Sequence, residues 1–536
     1  MNTDSLSLVH WADMTAARII QQVGDKSGND AYVLASGITP SGVVHFGNFR
    51  ETITVDFVAR ALKSRGKKVR FIFSWDDYDT FRKIPPNFPQ QEMLKNYMFQ
   101  PIVDTPDPYG KDESYADHNE KEFMSQLKKV GIFPEPLYQA KKYRALEYNH
   151  AMLKTLLRAQ TVRDILNQHR EAPLDGQWWP ISVYCEKCNT DRMKTKNFDC
   201  QESLRYECET CHHQGIENVL TSKRLKLPWR LDWPMRWAFE KVDFEPGGKD
   251  HSSQGGSYTT AKDLVAQVYD WRPPVYLQYD FVSFKGAGGK MSSSSGNVIT
   301  VNDVLNIYEP MMVRWIFASY KSNVDFAVSF DLDVIKTYED FDRMERLAYG
   351  LEEGNEKKVE MAKRVYQLSQ VSDDEKQIPK SCPFQPSFRH LCNILQINDG
   401  DIDESKKYYS DEIKNSVDEQ RYYLRAHCAN FWIKHFAPED FKFQLNKSPI
   451  HLELDPKQQQ FMEKLTTFIA DDWNQITTDK ELHEKMYLFI HELELEPLTV
   501  FPIIYKKLIN LEKGPKLAGF LRVIGRERSL SLLKNL

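Results

Sequence analysis

The chain has no run of about 18 apolar residues, and its opening stretch, MNTDSLSLVHWADMTAARII, lacks the charged, apolar and small-residue succession of an export signal. Neither a membrane association nor export is expected, and the expected compartment is the cytoplasm. Cysteine is scarce, eight in 536 residues, too few for a disulfide framework in a chain of this size. A basic surplus is also missing: the net charge is −5. That excludes no nucleic-acid partner, because recognition needs a local basic face and not a basic total. Internal repeats and long low-complexity tracts are absent as well.

What is present reads as an ordinary globular protein, with 41% hydrophobic and 27% charged residues, long enough for roughly two to four domains. From Ala31 to Ser36 the run AYVLAS is short, apolar and β-prone; GITPSG breaks it; then Phe49, Ile53, Phe57 and Ala61 recur every fourth residue as on one helix face. A second apolar run, Val69 to Trp75, follows Arg65-Gly66. Strand, glycine-rich turn, helix and strand make a βαβ unit, whose ligand site lies where the first strand hands over to the helix. Chemistry is therefore expected near residues 37 to 48. Residues 81 to 175 read as a connective segment, VYLQYDFVSF reads as one further strand, and from about residue 335 the periodicity is helical.

Within TPSGVVHFGN, the small residues Ser41, Gly42 and Gly47 let backbone approach a ligand, while His45 and Asn48 stand at a helix start that favours anions. The competing reading makes His45 a cap or packing residue. In GAGGKMSSSSGN a single cation, Lys290, is flanked by glycines and four serines, which suits a loop that closes on a polyphosphate; the plainer reading is a disordered Gly/Ser loop. Cys185-x2-Cys188 and Cys208-x2-Cys211, nineteen residues apart, fit a four-thiolate zinc ribbon with a structural role, with Cys200, His212 and His213 as spares. Asp76, Asp77 and Asp79 follow the second strand and could pair with an ammonium group or magnesium; a solvated turn is the alternative. Between Lys506 and Leu536 eight Lys or Arg stand against two acids, a face for phosphates or merely a solvated helix.

The pair H-x-G-N and K-M-S-S-S resembles the two ATP-binding signatures of class I aminoacyl-tRNA synthetases. The phrases ASGITPSGVVHFGNFRE, FSWDDYDTFRK, LDWPMRW, GGKDHSSQGGSYTTAKD and GPKLAGFLRVI are similar to the class I lysyl-tRNA synthetases. The assignment to lysine rests on this resemblance alone. It implies an α/β fold: a Rossmann-type parallel-sheet catalytic domain with a zinc-ribbon insertion and an all-α C-terminal domain. The implied division is 1–80 and 231–300 for the two catalytic halves, 81–230 for the insertion with its ribbon at 183–213, 301–370 for a helical stem-contact region, and 371–536 for a helical tRNA and anticodon domain.

The implied reaction attaches L-lysine to tRNA(Lys) through a lysyl-adenylate, with ATP, Mg2+ and one structural Zn2+, by a monomer. His45, Asn48 and Lys290 would be catalytic. Pro40, Ser41, Gly42, His45, Gly47, Asn48, Asp250, Lys290, Met291, Ser292, Ser293 and Ser294 would bind ATP. Gly37, Thr39, Asp77, Trp229, His251 and Tyr279 would bind lysine, and Lys223, Arg224, Lys226 and Arg230 would face the acceptor stem. Two departures stand out. Many class I enzymes have lysine where this chain has Ser293, so Lys290, Lys285 or magnesium must supply that charge; a hydroxyl donates to phosphate without neutralising it. In DPYGKDESYADH, Lys111 and Asp112 stand where relatives place cysteine and histidine around a first zinc, so that zinc is expected to be absent. Rival readings are a synthetase for glutamate or glutamine, a small nucleotidyltransferase, and a non-enzymatic zinc-ribbon nucleic-acid-binding protein.

Overall fold

The computed structural model describes residues 8–26, 28, 30–86, 88–252, 256–285 and 298–534. After helix α1 (Trp11–Val23) come β1 (Tyr32–Ile38), α2 (Phe46–Lys63) and β2 (Val69–Trp75), the βαβ unit expected from the apolar runs. Ten further strands follow: β3 (Glu135–Tyr138), β4 (Ser182–Val183), β5 (Met193–Phe198), β6 (Ser203–Cys208), β7 (Gln214–Asn218), β8 (Leu225–Lys226), β9 (Phe244–Gly248), β10 (Val275–Tyr279), β11 (Val282–Lys285) and β12 (Phe326–Ser329). The run VYLQYDFVSF is thus two strands and not one. Asp280 breaks it: its N–H donates to the Ser322 carbonyl, its carboxylate takes the Phe281 N–H, and β11 leaves the main sheet to pair with β12.

The main sheet has five parallel strands in the order β10-β9-β1-β2-β3. The chain moves outward from β1 to β3, then returns to the other side of β1 and moves outward again. The connections at the carboxyl ends of β1 and β9 therefore leave in opposite directions and open a crevice between them. β3 falls inside the segment that gave no legible strand, because four residues at a sheet edge carry little pattern. No helix of the described residues is long and apolar enough to cross a membrane.

Helix α2 is covered almost all round and not on one face alone: Phe46, Phe49, Ile53, Phe57, Val58 and Leu62 are buried, and so are Arg50, Asp56 and Arg60. Buried charge is costly unless paired, and each is. Arg50 donates to the carbonyls of Phe281 at 2.8 Å, Ser322 at 2.8 Å and Val324 at 2.6 Å. Asp56 meets Arg60 at 2.9 Å and Arg314 at 2.5 Å.

The chain divides into two compact units, one of residues 1–305, 310–328 and 344–378, the other of 306–309, 329–343 and 379–536. In the second unit, helices Pro456–Asp471, Asp479–Glu492, Pro497–Ile509, Leu517–Ile524 and Arg526–Leu533 close on a core that includes Phe461, Leu465, Met486, Ile504 and Leu521. The basic tail does not form one open cationic face. Lys507 is buried and donates to the carbonyls of Ile450 and Lys534, Arg526 to Ala470, Arg528 to Ile397, and Arg522 pairs with Asp479 at 2.6 Å. The same unit buries Arg425 completely, its guanidinium on Glu309 at 2.7 Å, on both oxygens of Asp342 at 2.8 Å and on the Pro386 carbonyl at 2.9 Å. Arg425→Met leaves two buried carboxylates without that cation; it is expected to cost about 3–5 kcal/mol, read as a lower urea midpoint in the helical circular-dichroism signal.

Candidate active site at the carboxyl edge of the sheet

A cavity of about 420 Å³ opens at the carboxyl ends of β1, β9 and β10, with Gly37, Thr39, His45, Gly47, Asn48, Trp229, Asp250, His251 and Tyr279 among its walls. Residues from four separate stretches of sequence, each read as a site residue, are brought to one place. A smaller recess of about 90 Å³ lies behind it and shares Gly37, Glu51, Asp76, Trp229 and His251.

His45 and Asn48 are joined to each other. The His45 imidazole accepts the Asn48 N–H through Nδ1 at 3.2 Å, and the Asn48 side-chain oxygen accepts the His45 N–H at 3.3 Å, a capping box that starts α2. The cap reading and the ligand reading of His45 are therefore not exclusive: with Nδ1 accepting, the ring proton sits on Nε2. The next N–H, that of Phe46, donates to the Ile299 carbonyl at 2.8 Å, which ties the start of α2 to the chain just beyond the K-M-S-S-S phrase. Lys290, Met291, Ser292, Ser293 and Ser294 themselves lie outside the described residues. Pro40, Ser41 and Gly42 form the turn between β1 and α2, with the Ser41 carbonyl accepting from the Tyr115 hydroxyl at 3.0 Å, and are not among the cavity's lining residues.

At Gly37, paired with Ser74 across β1 and β2, an added Cβ would lie 2.7 Å from the Ser74 carbonyl oxygen. Only glycine lets the strands close here and still presents an N–H to Glu51. That carboxyl, on α2 one turn after Asn48, accepts the Gly37 N–H at 3.0 Å and the Tyr279 hydroxyl at 2.7 Å. Burial is the main cause that pushes it up to about 8, with Glu245 and Asp76 adding repulsion. The sequence reading missed Glu51. Its signal was positional: His45, Asn48 and Glu51 recur at intervals of three, a single helix face.

The aromatic wall follows from one helix. Trp229, Trp233 and Trp237 recur every fourth residue on Trp229–Glu240; Trp229 stacks on Trp233 at 5.3 Å and lies 5.5 Å from the His251 ring. The indole N–H groups of Trp233 and Trp237 both donate to the buried Glu245, at 2.9 and 2.5 Å.

The D-D-Y-D acids are placed differently from the expectation. Asp77 is buried away from both cavities, its carboxylate accepting the Ala140 N–H at 2.7 Å, and burial raises it to about 6. Asp76 is the acid that reaches the cavity, and it is held by Arg236 at 2.5 Å. Asp79 accepts the Thr39 hydroxyl at 2.8 Å and pairs closely with Lys226. Lys226 is consequently buried and no part of an open acceptor-stem face; Arg224 is committed to Glu217 at 2.7 Å, while Lys223 and Arg230 remain exposed.

Cys185, Cys188, Cys208 and Cys211 converge with all four sulfurs within 4.8 Å, Cys185 facing Cys211 at 3.6 Å and Cys188 facing Cys208 at 3.5 Å. Thiolates around a tetrahedral zinc at about 2.3 Å have such edges, whereas disulfide sulfurs stand at about 2.0 Å. β5, β6 and β7 form the ribbon. His213 turns to Glu186 at 2.9 Å, and Cys200 and His212 are not in the cluster. Around Lys111, the carboxylate of Asp107 accepts the N–H groups of Tyr109, Lys111 and Asp112, while Asp112 binds His118 at 2.9 Å and Lys121 at 3.0 Å. The ligand atoms of Asp107, Asp112 and His118 lie within 4.8 Å of one another, with the Lys121 ammonium against Asp112.

Residues 9–372 match the family model described as tRNA synthetases class I (K). With that match over most of its length, a parallel sheet and a crevice at its switch point, the chain belongs to this family of class I tRNA synthetases. Along 98% of its length and 98% of the relative's it is 46% identical to the lysine–tRNA ligase of Borreliella burgdorferi. It is similar also to those of Treponema pallidum, 43% identical over 97% of each chain, and Thermococcus kodakarensis, 36% identical over 98% of this chain and 99% of that one.

Glu51 makes stability pH-dependent with a definite sign. Its native value of about 8 exceeds its ordinary 4.5, so between those values the native state holds a proton that the unfolded chain releases, and stability falls as pH rises through this window. Glu51→Gln should remove up to about 5 kcal/mol of that decline. Urea midpoints of the two proteins from pH 5 to pH 8.5 measure it; parallel curves would refute it.

Proposed function

We propose that this chain attaches L-lysine to tRNA(Lys) in two steps. The lysine carboxylate attacks the α-phosphate of ATP, forming lysyl-adenylate and releasing pyrophosphate; a hydroxyl of the terminal tRNA adenosine then attacks the lysyl carbonyl and releases AMP. The observation that carries lysine is Glu51: a half-buried carboxyl in the cavity wall, bonded to Gly37 and Tyr279 and with no cationic partner among the described residues. The arrival of an ammonium group would ionise it. Tyr279 and Trp229 flank the path of the alkyl stem, in keeping with the affinity of aromatic faces for a cation and its methylenes. A glutamate or glutamine enzyme is disfavoured by the same wall, where Glu51, Asp76 and Glu245 meet one guanidinium, Arg236, already held by Asp76 and Asp232.

Neither step needs an enzyme nucleophile. Positioning and charge stabilisation supply the acceleration: the Nε2 proton of His45, the helix start and Asn48 on one side of the phosphates, Lys290 on the other. Magnesium would accompany ATP. Zn2+ on the four cysteines would staple the ribbon, with no open position for substrate. The helical unit of residues 379–536 would take the tRNA body and anticodon. The substrates put the reaction in the cytoplasm, and we assign it to a monomer.

The decisive experiment charges total tRNA with each of twenty labelled amino acids. Lysine alone is the expected result; glutamate or glutamine would keep the family and overturn the substrate. Lys290→Ala should slow single-turnover adenylate formation by roughly two orders of magnitude, as loss of one preorganised charge contact does, and an unchanged rate would remove Lys290 from the mechanism. The protein should carry one zinc per chain, and its chelation should lower the melting temperature.

A further inference from the structure

The ribbon is rooted beside the cavity at the sheet edge. The strand that leads into it, β4, pairs antiparallel with β8, Ser182 opposite Lys226 and Val183 opposite Leu225, and Cys185 follows β4 by two residues. The segment that leaves β2 is stitched to the flanks of both strands: the Tyr78 hydroxyl donates to the Lys223 carbonyl at 2.7 Å, and the Tyr184 hydroxyl to the Tyr78 carbonyl at 2.7 Å. Asp79 lies in that segment. Lys226 is 7% exposed, and among the described residues Asp79 is the side chain that its ammonium group bonds. A buried ammonium is costly without such a counter-charge.

Asp79 divides its two carboxylate oxygens between two partners. Oδ1 meets the Lys226 ammonium, and Oδ2 accepts the Thr39 hydroxyl at 2.8 Å. Thr39 follows β1 directly and lines the cavity of about 420 Å³ together with His45, Asp250 and Tyr279. A hydroxyl has one proton and two lone pairs. With the proton committed to a carboxylate that the neighbouring cation keeps ionised, only lone pairs remain for a ligand, the polarity that an ammonium group needs and a carboxylate rejects. Neither Asp79 nor Lys226 is among the cavity's lining residues, so both reach a ligand through Thr39. A staple for the ribbon root alone would need one oxygen of Asp79; the other sets the cavity wall.

We infer that Lys226, through Asp79, is a positioning residue that fixes the Thr39 hydroxyl as an acceptor toward the amino-acid substrate. The inference rests on the proposed lysine substrate and deepens it. Charging of tRNA(Lys) by the full chain gives separate KM values for lysine and ATP in each variant. In Asp79→Asn the amide oxygen goes to the Lys226 ammonium and the NH2 group turns to Thr39, whose hydroxyl must then accept and point its proton at the substrate. The KM for lysine should rise about tenfold, as loss of a hydrogen bond to a charged group does, with the KM for ATP unchanged. Lys226→Met should raise it about as much. On a Thr39→Val background, which has no hydroxyl to orient, either substitution should change the KM for lysine by less than about twofold further. A merely structural pair would multiply its effect in full on both backgrounds. Lys226→Met leaves a half-buried acid unpaired; if that variant fails to fold, Asp79→Asn on the two backgrounds decides the question, since it keeps the shape of the site. An unchanged KM for lysine, equal rises for lysine and ATP, or full multiplication on the Thr39→Val background would each overturn the relay. A wild-type protein that charges no lysine overturns the proposed function itself, whereas wild-type charging to which these variants are indifferent overturns the role of Lys226 and Asp79 alone.

Discussion

The structure depends most on where α2 begins. A parallel sheet whose strand order reverses between β1 and β9 leaves a gap at that point, and the helix that follows β1 must start there with several N–H groups unpaired. His45 and Asn48 satisfy two of those needs by capping each other, and the Ile299 carbonyl takes the Phe46 N–H. Once the start is set, the helix axis is set, and with it the face bearing Glu51. The same residues that satisfy the helix start therefore aim the acid at the recess shared by both cavities. Burial of Arg50, Asp56 and Arg60 along the remaining turns fixes the other end, because each charge has partners on separate parts of the chain.

Among the described residues of the crevice, several acids are answered by cations or indoles and Glu51 meets no cation. Asp76 faces Arg236, Asp79 faces Lys226, and Glu245 receives two indole N–H groups. These bonds hold the walls and leave little unspent charge. Glu51 has only neutral donors, and desolvation favours its protonated form. Such a group is a poor stabiliser of the empty protein and a good receiver of a cation, since the carboxylate that burial disfavours becomes favourable when an ammonium group lies against it.

Strands with a full apolar run were legible: Tyr32–Ile38 and Val69–Trp75 stand where AYVLAS and VRFIFSW placed them. The glycine-rich turn marked His45 and Asn48, and the family resemblance marked Gly37, Thr39, Trp229, Asp250, His251 and Tyr279; all eight line one cavity. What failed did so for a physical reason. β3 is too short to show alternation, and the break at Asp280 depends on a carbonyl at Ser322, forty-two residues away. Asp77 and Asp76 are indistinguishable by type and spacing; which one meets the cavity is decided by Ala140 and Arg236, contributed by distant segments.

The same lesson governs the basic regions. A count of lysines and arginines along the tail suggests one broad face, and Lys223 to Arg230 suggests another. In the folded chain most of those cations are consumed at home: Lys507, Arg526 and Arg528 cap carbonyls, Lys226 is buried on Asp79, and Arg224 and Arg522 are paired. An exposed pair contributes little stability, but it does cancel a charge that phosphate would otherwise feel. Arg389, Lys513 and Lys516, with no ion pair among the described residues, come from opposite ends of the second unit's sequence and line one cavity beside rings that no charge count includes. Affinity for a polyanion is set by local unpaired charge, so a net charge of −5 does not decide the matter.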